Sequence, residues 1–255
     1  MVVVWIATPG LEDKISSWSS TSSGVNQWTK QLGTSTTDYG NDITSDSSGN
    51  VYVTGSIYGG LNGNTNAGAS DLFVVKYNSS GVNQWTKQLG TSRSDEGQSI
   101  TSDSSGNVYV TGYTSGGLDG NTNAGSTDLF VVKYNSSGVK QWTKQLGTSA
   151  DDRGYNITSD SGGNVYVTGW TKGDLDGNTS AGSEDLFVVK YNSSGVNQWT
   201  KQLGTSSSES GNGITSDSGS NVYVTGSTLG GLDGNTSAGN ADLSEVKFDE
   251  NGNKQ

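Results

Sequence analysis

Along the whole chain, short apolar runs rich in Val, Ile, Tyr, Trp and Phe are separated by clusters of Gly, Ser and Asn. There is very little continuous helical periodicity and a single Pro. The pattern predicts strands joined by turns. Val108-Tyr-Val-Thr-Gly112 and Asp128-Leu-Phe-Val-Val-Lys-Tyr134 are typical runs. The Asn-Ser-Ser-Gly after Tyr134 supplies the φ > 0 conformations that a short hairpin demands.

The runs recur in a fixed order. A Gln-Trp-Thr-Lys-Gln-Leu-Gly-Thr-Ser motif carries Trp28, Trp85, Trp142 and Trp199, each 57 residues after the one before. Each unit reads Ile-Thr-Ser-Asp (strand A), a tight turn and Val-Tyr-Val-Thr-Gly (strand B). A long Gly/Asn loop, the Asp-Leu-Phe run (strand C), a second turn and the Trp motif (strand D) follow. Four antiparallel strands in a unit of this length predict an all-β chain, a β-propeller of four-stranded blades. Each blade hides both faces against its neighbours. Strand A is poor in bulk, which suits a crowded centre. A β-solenoid is the competing architecture, but its turns are usually shorter and more uniform.

The run Asp103-Ser-Ser-Gly-Asn-Val-Tyr-Val-Thr-Gly112, with Asp128 to Tyr134 and Trp142, resembles the bacterial SBBP-type β-propeller repeat. The likeness extends from Gly24 to Lys247. It implies the propeller fold and, from where such repeats typically occur, a secreted or cell-surface protein. It implies no activity.

The phase of the repeat predicts how a ring would close. An early D strand (24–33) precedes three full units, and the last unit supplies A, B and C. The early D strand is therefore expected to complete the last blade, giving four blades over 24–255. Residues 1–23 form an N-terminal extension or a degenerate blade remnant. Val2-Val-Val-Trp-Ile6 resembles strand B, and Lys14-Ile-Ser-Ser-Trp18 aligns with strand C. Five blades are the alternative, and an open array closed by oligomerisation is a third arrangement.

Charge and composition remove several classes of function. With Lys+Arg 14 against Asp+Glu 25, the net charge of −11 disfavours nucleic acid and anionic membranes. The chain has no cysteine and no histidine, so thiolate chemistry, disulfides and the usual general base are missing. No run approaches the length of a membrane-spanning helix. Met1 to Ala7 lacks a basic n-region and does not read as a signal peptide. The acids recur in every unit, so no nucleophile–base or carboxylate pair stands apart from the repeat. The chain is expected not to be an enzyme and to require no cofactor.

Three features carry candidate chemistry. The B–C loops place oxygens around flexible Gly: Asp119, Asn121, Asn123 and Asp128, then Asp176, Asn178 and Asp185, then Asp233, Asn235 and Asp242. These resemble hard-cation loops and make calcium a candidate ligand; Asx-rich turns explain the same residues. In the D–A loops an acid recurs as Asp38, Asp95, Asp152 and Glu209. These four could ring a channel mouth and attract a cation, or be solvated turn acids. The units differ most in the D–A loops and just after strand B, which a meander places on one side. That face gathers Tyr39, Tyr58, Arg93, Tyr113, Arg153, Tyr155, Trp170 and Lys172, a mixture used to contact glycans or proteins. Loop drift is the alternative. The expected function is thus a non-catalytic binding module for a glycan or protein. A structural repeat for assemblies, with no discrete ligand, is the alternative, and a homo-oligomer fits either reading. The recurrent Trp residues read as packing between blades.

Overall fold

Asp103 shows how the hairpins close. Its carboxylate accepts the backbone N–H groups of Ser105 and Asn107 and the Asn107 side-chain amide, while Gly106 takes φ 74°. Asp46, Asp160 and Asp217 repeat the arrangement one unit apart. A carboxylate that bonds its own turn fixes the turn and with it the strand register.

The computed structural model describes residues 2–5, 15–20 and 25–255, with side chains from Val25 onward. Five antiparallel sheets follow one another along the chain. The first holds β1 (Val2–Trp5), β2 (Ile15–Ser20) and β3 (Asn26–Leu32). The second holds β4 (Asp38–Ser45), β5 (Val51–Ile57), β6 (Asp71–Tyr77) and β7 (Asn83–Leu89). The third holds β8 (Asp95–Ser102), β9 (Val108–Thr114), β10 (Asp128–Tyr134) and β11 (Lys140–Leu146). The fourth holds β12 (Asp152–Ser159), β13 (Val165–Thr171), β14 (Asp185–Tyr191) and β15 (Asn197–Leu203). The last holds β16 (Glu209–Ser216), β17 (Val222–Thr228) and β18 (Asp242–Phe248). The three full sheets are the expected A-B-C-D meanders.

Strand alternation feeds two cores at once. In β10, Phe130 and Val132 pack with Tyr52, Leu72 and Val74 of the preceding sheet. Leu129 and Val131 pack with Ile157, Val165 and Phe187 of the following one. All are buried, and each such side chain contributes about 2 kcal/mol of hydrophobic stabilisation. Trp85 sits between Tyr52 and Tyr134, with ring centroids 5.9 and 6.3 Å away, and its Nε1–H donates to Ser136 O in the next sheet. Trp142 and Trp199 repeat this placement, so the packing role holds. The A-type strands adjoin. Ser102, Ser159 and Ser216 hydroxyls each donate to the backbone oxygen of the serine one unit earlier.

One pairing differs from expectation. The early D strand, β3, pairs with β2, with Trp18 opposite Thr29 and Ile15 opposite Leu32. It does not pair with β18, and the last sheet has three strands. The hairpin partner lies a few residues upstream, whereas β18 lies almost the whole chain away, and loop-closure entropy favours the nearer one. Within 1–23, the B-like and C-like segments form β1 and β2, and Met1, 6–14 and 21–23 lie outside the described residues.

Candidate functional site

The variable positions lie where strand A begins and strand B ends, and cross-strand register joins them. Arg153 faces Trp170 across β12 and β13, and Glu96 faces Tyr113 across β8 and β9. A bulge between Gly154 and Asn156 leaves Tyr155 as the extra residue and re-aims its ring. Gly169 permits this bulge, because a Cβ there would collide with the Arg153 carbonyl oxygen. The B–C and D–A loops do share one side: Ser126 N–H donates to Ala150 O, and Asp152 N–H to Thr127 O.

Five of the variable residues meet in one network. The Arg153 guanidinium lies over the Tyr113 ring at 4.4 Å and reaches Trp170 at 5.4 Å, bridging two sheets. Lys172 Nζ stands 5.1 Å from the Trp170 ring centroid. Trp170 Nε1–H donates to Tyr155 Oη at 2.7 Å, and the two rings meet edge to face. Trp170 is 7% exposed, so its indole is a buried hub rather than an open stacking platform.

Three acids complete the network, and the sequence reading missed them. Tyr113 Oη–H donates to Glu96 at 2.8 Å, and Lys172 lies 3.6 Å from Asp151 and 3.7 Å from Glu184. Burial, followed by the hydrogen bond to Glu96, pushes the Tyr113 hydroxyl well above the usual tyrosine value. Burial and then the Glu96 charge also raise Tyr58. Tyr58 meets Tyr39 edge to face at 6.5 Å, and both are exposed. The Glu96 charge is thus felt by both Tyr58 and Tyr113. The signal that could have found the acids is position by position: 96 aligns with Tyr39, Arg153 and Ser210, and 184 with Ser70, Thr127 and Ala241. Arg93 is exposed in the same layer, where its carbonyl accepts Ala69 N–H.

The acids expected at a channel mouth are placed otherwise. Asp38, Asp95, Asp152 and Glu209 are all buried. Asp95 accepts Thr91 N–H at 2.5 Å, the Thr91 hydroxyl and the Thr114 hydroxyl. Asp152 makes the same bonds with Thr148 and Thr171, and Glu209 with Thr205 and Thr228. They are therefore neither mouth acids nor solvated turn acids. Asp95, Asp152 and Glu209 tie the start of strand A to the end of strand B, while Asp38, which lies opposite Ile57, accepts the Thr34 N–H and hydroxyl. Burial first, then the charge of Asp71, raises Asp95 against the Thr hydrogen bonds that lower it; Asp152 shifts likewise beside Asp128.

The B–C loops use their oxygens internally. Asp119 bonds Lys140 and the Thr143 hydroxyl, and Asp176 bonds Asn197 and the Thr200 hydroxyl. Asp233 bonds Lys254. Asn121, Asn178 and Asn235 each donate to a Leu carbonyl three residues earlier, and Asn123 donates to Ser115 O and Gly125 O. Asp128 and Asp185 accept a loop N–H and a strand D Gln amide, and Asp242 accepts Ala238 N–H. Asp119, Asp176 and Asp233 have φ of 53°, 51° and 60°, a conformation that Asp and Asn tolerate well. Among the described residues, no group of three or more acids is placed to hold a metal ion.

Comparison with known proteins agrees with this architecture. The Beta-propeller repeat family, SBBP, matches at residues 27–62, 84–119, 141–176 and 198–233, together more than half of the chain. The chain belongs to that family, and its four-stranded antiparallel sheets are consistent with a propeller. It is 30% identical over 165 residues to the regulatory protein FlaEY of Caulobacter vibrioides, covering 59% of this chain and 17% of that protein. It is 27% identical over 227 residues to a WD repeat-containing protein of Acanthamoeba polyphaga mimivirus, covering 69% of this chain and 16% of that one. The chain thus spans about a sixth of either relative. A putative 6-phosphogluconolactonase from Bacteroides fragilis aligns over 100% of this chain and 79% of its own at 11% identity, with a TM-score of 0.38, too slight a likeness to carry an argument. No helix among the described residues is long and apolar enough to cross a membrane.

Proposed function

We propose that the chain is a non-catalytic binding module that contacts a protein partner through the face carrying Tyr39, Tyr58, Tyr113, Arg153 and Lys172. The observation that carries this reading is the concentration of departures from the repeat. Asp151, Arg153, Tyr155, Trp170, Lys172 and Glu184 all belong to the fourth sheet and its loops. A repeat that is otherwise nearly uniform has accumulated aromatic and charged residues in one place, where they contact one another.

The geometry favours a protein over a glycan. Arg153 and Lys172 lie over the Trp170 ring, and edge contact with Tyr155 occupies it further, so it offers no free ring face for a sugar. What faces solvent is a set of alternating charges flanked by the exposed Tyr39–Tyr58 pair, the composition of a polar rim around aromatic anchors. The names of the relatives, a regulatory protein and a WD repeat-containing protein, fit a binding or scaffold role.

The test compares wild type with Tyr58→Ala and Lys172→Glu. Both side chains are exposed, so both variants are expected to fold. Each is immobilised and assayed against a glycan array and against fractionated cellular proteins. The expected result is a retained protein partner whose affinity falls about tenfold or more in each variant, with no retained glycan. Binding that is indifferent to both substitutions sinks the reading and leaves the scaffold alternative.

A further inference from the structure

Arg153 is held on the variable face in a way that leaves its donors unused. Its guanidinium carbon stands 4.4 Å from the Tyr113 ring centroid and 5.4 Å from that of Trp170. The acids nearby are engaged elsewhere. Lys172 lies 3.6 Å from Asp151 and 3.7 Å from Glu184, and Glu96 accepts the Tyr113 hydroxyl at 2.8 Å. Among the described residues, no carboxylate comes within ion-pair reach of Arg153, no acceptor bonds its N–H groups, and Nε is buried without a partner.

A guanidinium carries five N–H donors and stays charged throughout the physiological pH range. A buried donor without an acceptor costs stability, and ring contacts offset part of that cost. Nothing in the repeat requires arginine here: the aligned positions hold Tyr39, Glu96 and Ser210. An unsatisfied buried group at a position freed from the repeat points to a role outside the fold. The same contacts prepare the group for a ligand. The rings of Tyr113 and Trp170 hold a long side chain in place, so less freedom is lost when something binds it. Arg153 is also half-buried, and the lower dielectric there strengthens a charge-assisted hydrogen bond. The other arginine, Arg93, is exposed and has no such ring contact among the described residues.

We propose that Arg153 receives one acidic side chain, Asp or Glu, of the protein partner, whose carboxylate accepts two guanidinium N–H groups. The inference rests on the protein-binding reading above and names the contact at the centre of that face. A carboxylate is the planar two-oxygen acceptor that matches the guanidinium fork, and a stacked arginine is a typical anchor of a protein interface. Charge limits what surrounds that acid. The chain carries a net −11, and Glu96, Asp151 and Glu184 lie around Arg153. A strongly acidic stretch is therefore repelled, and the fitting partner presents a single acid within an uncharged or basic segment. A phosphate group, with up to two charges, is disfavoured on the same ground.

The chain has two arginines, Arg93 and Arg153, so a nitrogen-edited NMR spectrum holds two side-chain Nε–Hε signals, and Arg153→Lys assigns them. The probe is the capped peptide acetyl-Gly-Glu-Gly-amide, with acetyl-Gly-Gln-Gly-amide as its uncharged control. The expected result is a progressive shift of the Arg153 signal with the Glu peptide, none with the Gln peptide, and a much smaller shift at Arg93. A second arm uses the protein retained by the wild-type chain. Arg153→Lys keeps the charge but loses the fork, and is expected to bind that protein about tenfold more weakly, while circular dichroism confirms that the variant folds. An Arg153 signal that stays still, or that moves equally with both peptides, overturns the proposal. So does a retained protein that Arg153→Lys binds as tightly as wild type, and that result leaves the binding reading intact. A chain that retains no protein counts against the binding reading alone, because the peptide titration judges Arg153 by itself.

Discussion

Two sets of recurring carboxylates move away from the ordinary acid value in opposite directions, and their positions explain why. Asp46 and Asp160 sit in the A–B turns, where burial alone would raise them. The Asn side-chain amides, the Tyr52 and Tyr166 hydroxyls and turn N–H groups outweigh that and hold them low. Asp95 and Asp152 lie deeper, and there burial wins. A depressed acid lends stability that is complete above its unfolded value, about 3.9, and is lost as pH falls through its folded value. A raised acid does the reverse: its charged form costs stability as pH rises from about 3.9 through its folded value. Asp160→Asn is therefore expected to flatten the acid limb of a plot of melting temperature against pH, below about pH 4. Asp152→Asn should flatten the slope just above it. Identical pH profiles for both variants and wild type would contradict this assignment. Asp160→Asn should also cost about 1 kcal/mol at neutral pH, because the Tyr166 hydroxyl loses a charged acceptor.

At the scale of strands and loops, the parts legible in the sequence were those fixed by local chemistry. Gly106 and Asp103 specify a hairpin within a few residues, so the turns, the four-strand unit and the 57-residue period could be read directly. The variable face could also be read, because a meander forces the D–A and B–C loops to one side. Three things could not. The partner of β3 depends on a competition between β2 and β18 that no local pattern resolves. The positive φ of Asp119 and its bonds to Lys140 and Thr143 are set by a strand more than twenty residues away, which no local pattern announces. The burial of Asp95 depends on Thr114, which lies across the strand pair. The bulge at Tyr155 gives a test at this scale. Gly169→Ala forces a Cβ into the Arg153 carbonyl, and overpacking of backbone costs about 2 kcal/mol or more. The expected outcome is a lower melting temperature together with loss of the Tyr155–Trp170 contact, read as a shift in tryptophan fluorescence. Gly226→Ala, at the equivalent point of the last sheet, should lower stability without moving that fluorescence.

For the molecule as a whole, packing between neighbouring sheets in chain order makes stability a sum of sheet and interface terms, as in other repeat architectures. The terms are unequal. The second, third and fourth sheets bury Phe73, Phe130 and Phe187, whereas the last has Ser244 at that position, with its hydroxyl buried and unpartnered. Glu245 replaces a buried Val, and one face of the last sheet is uncovered. Losing a packed Phe alone is worth about 3 kcal/mol, or roughly a hundredfold in a local opening equilibrium. Backbone amides of β17 and β18 should therefore exchange with deuterated solvent about a hundred times faster than those of β13 and β14. Ser244→Phe should slow β16, β17 and β18 while leaving β4 to β7 unchanged, because each sheet speaks chiefly to its neighbours. Uniform exchange across all sheets would mean that the chain unfolds as a single unit, and the nearest-neighbour account of its stability would fail.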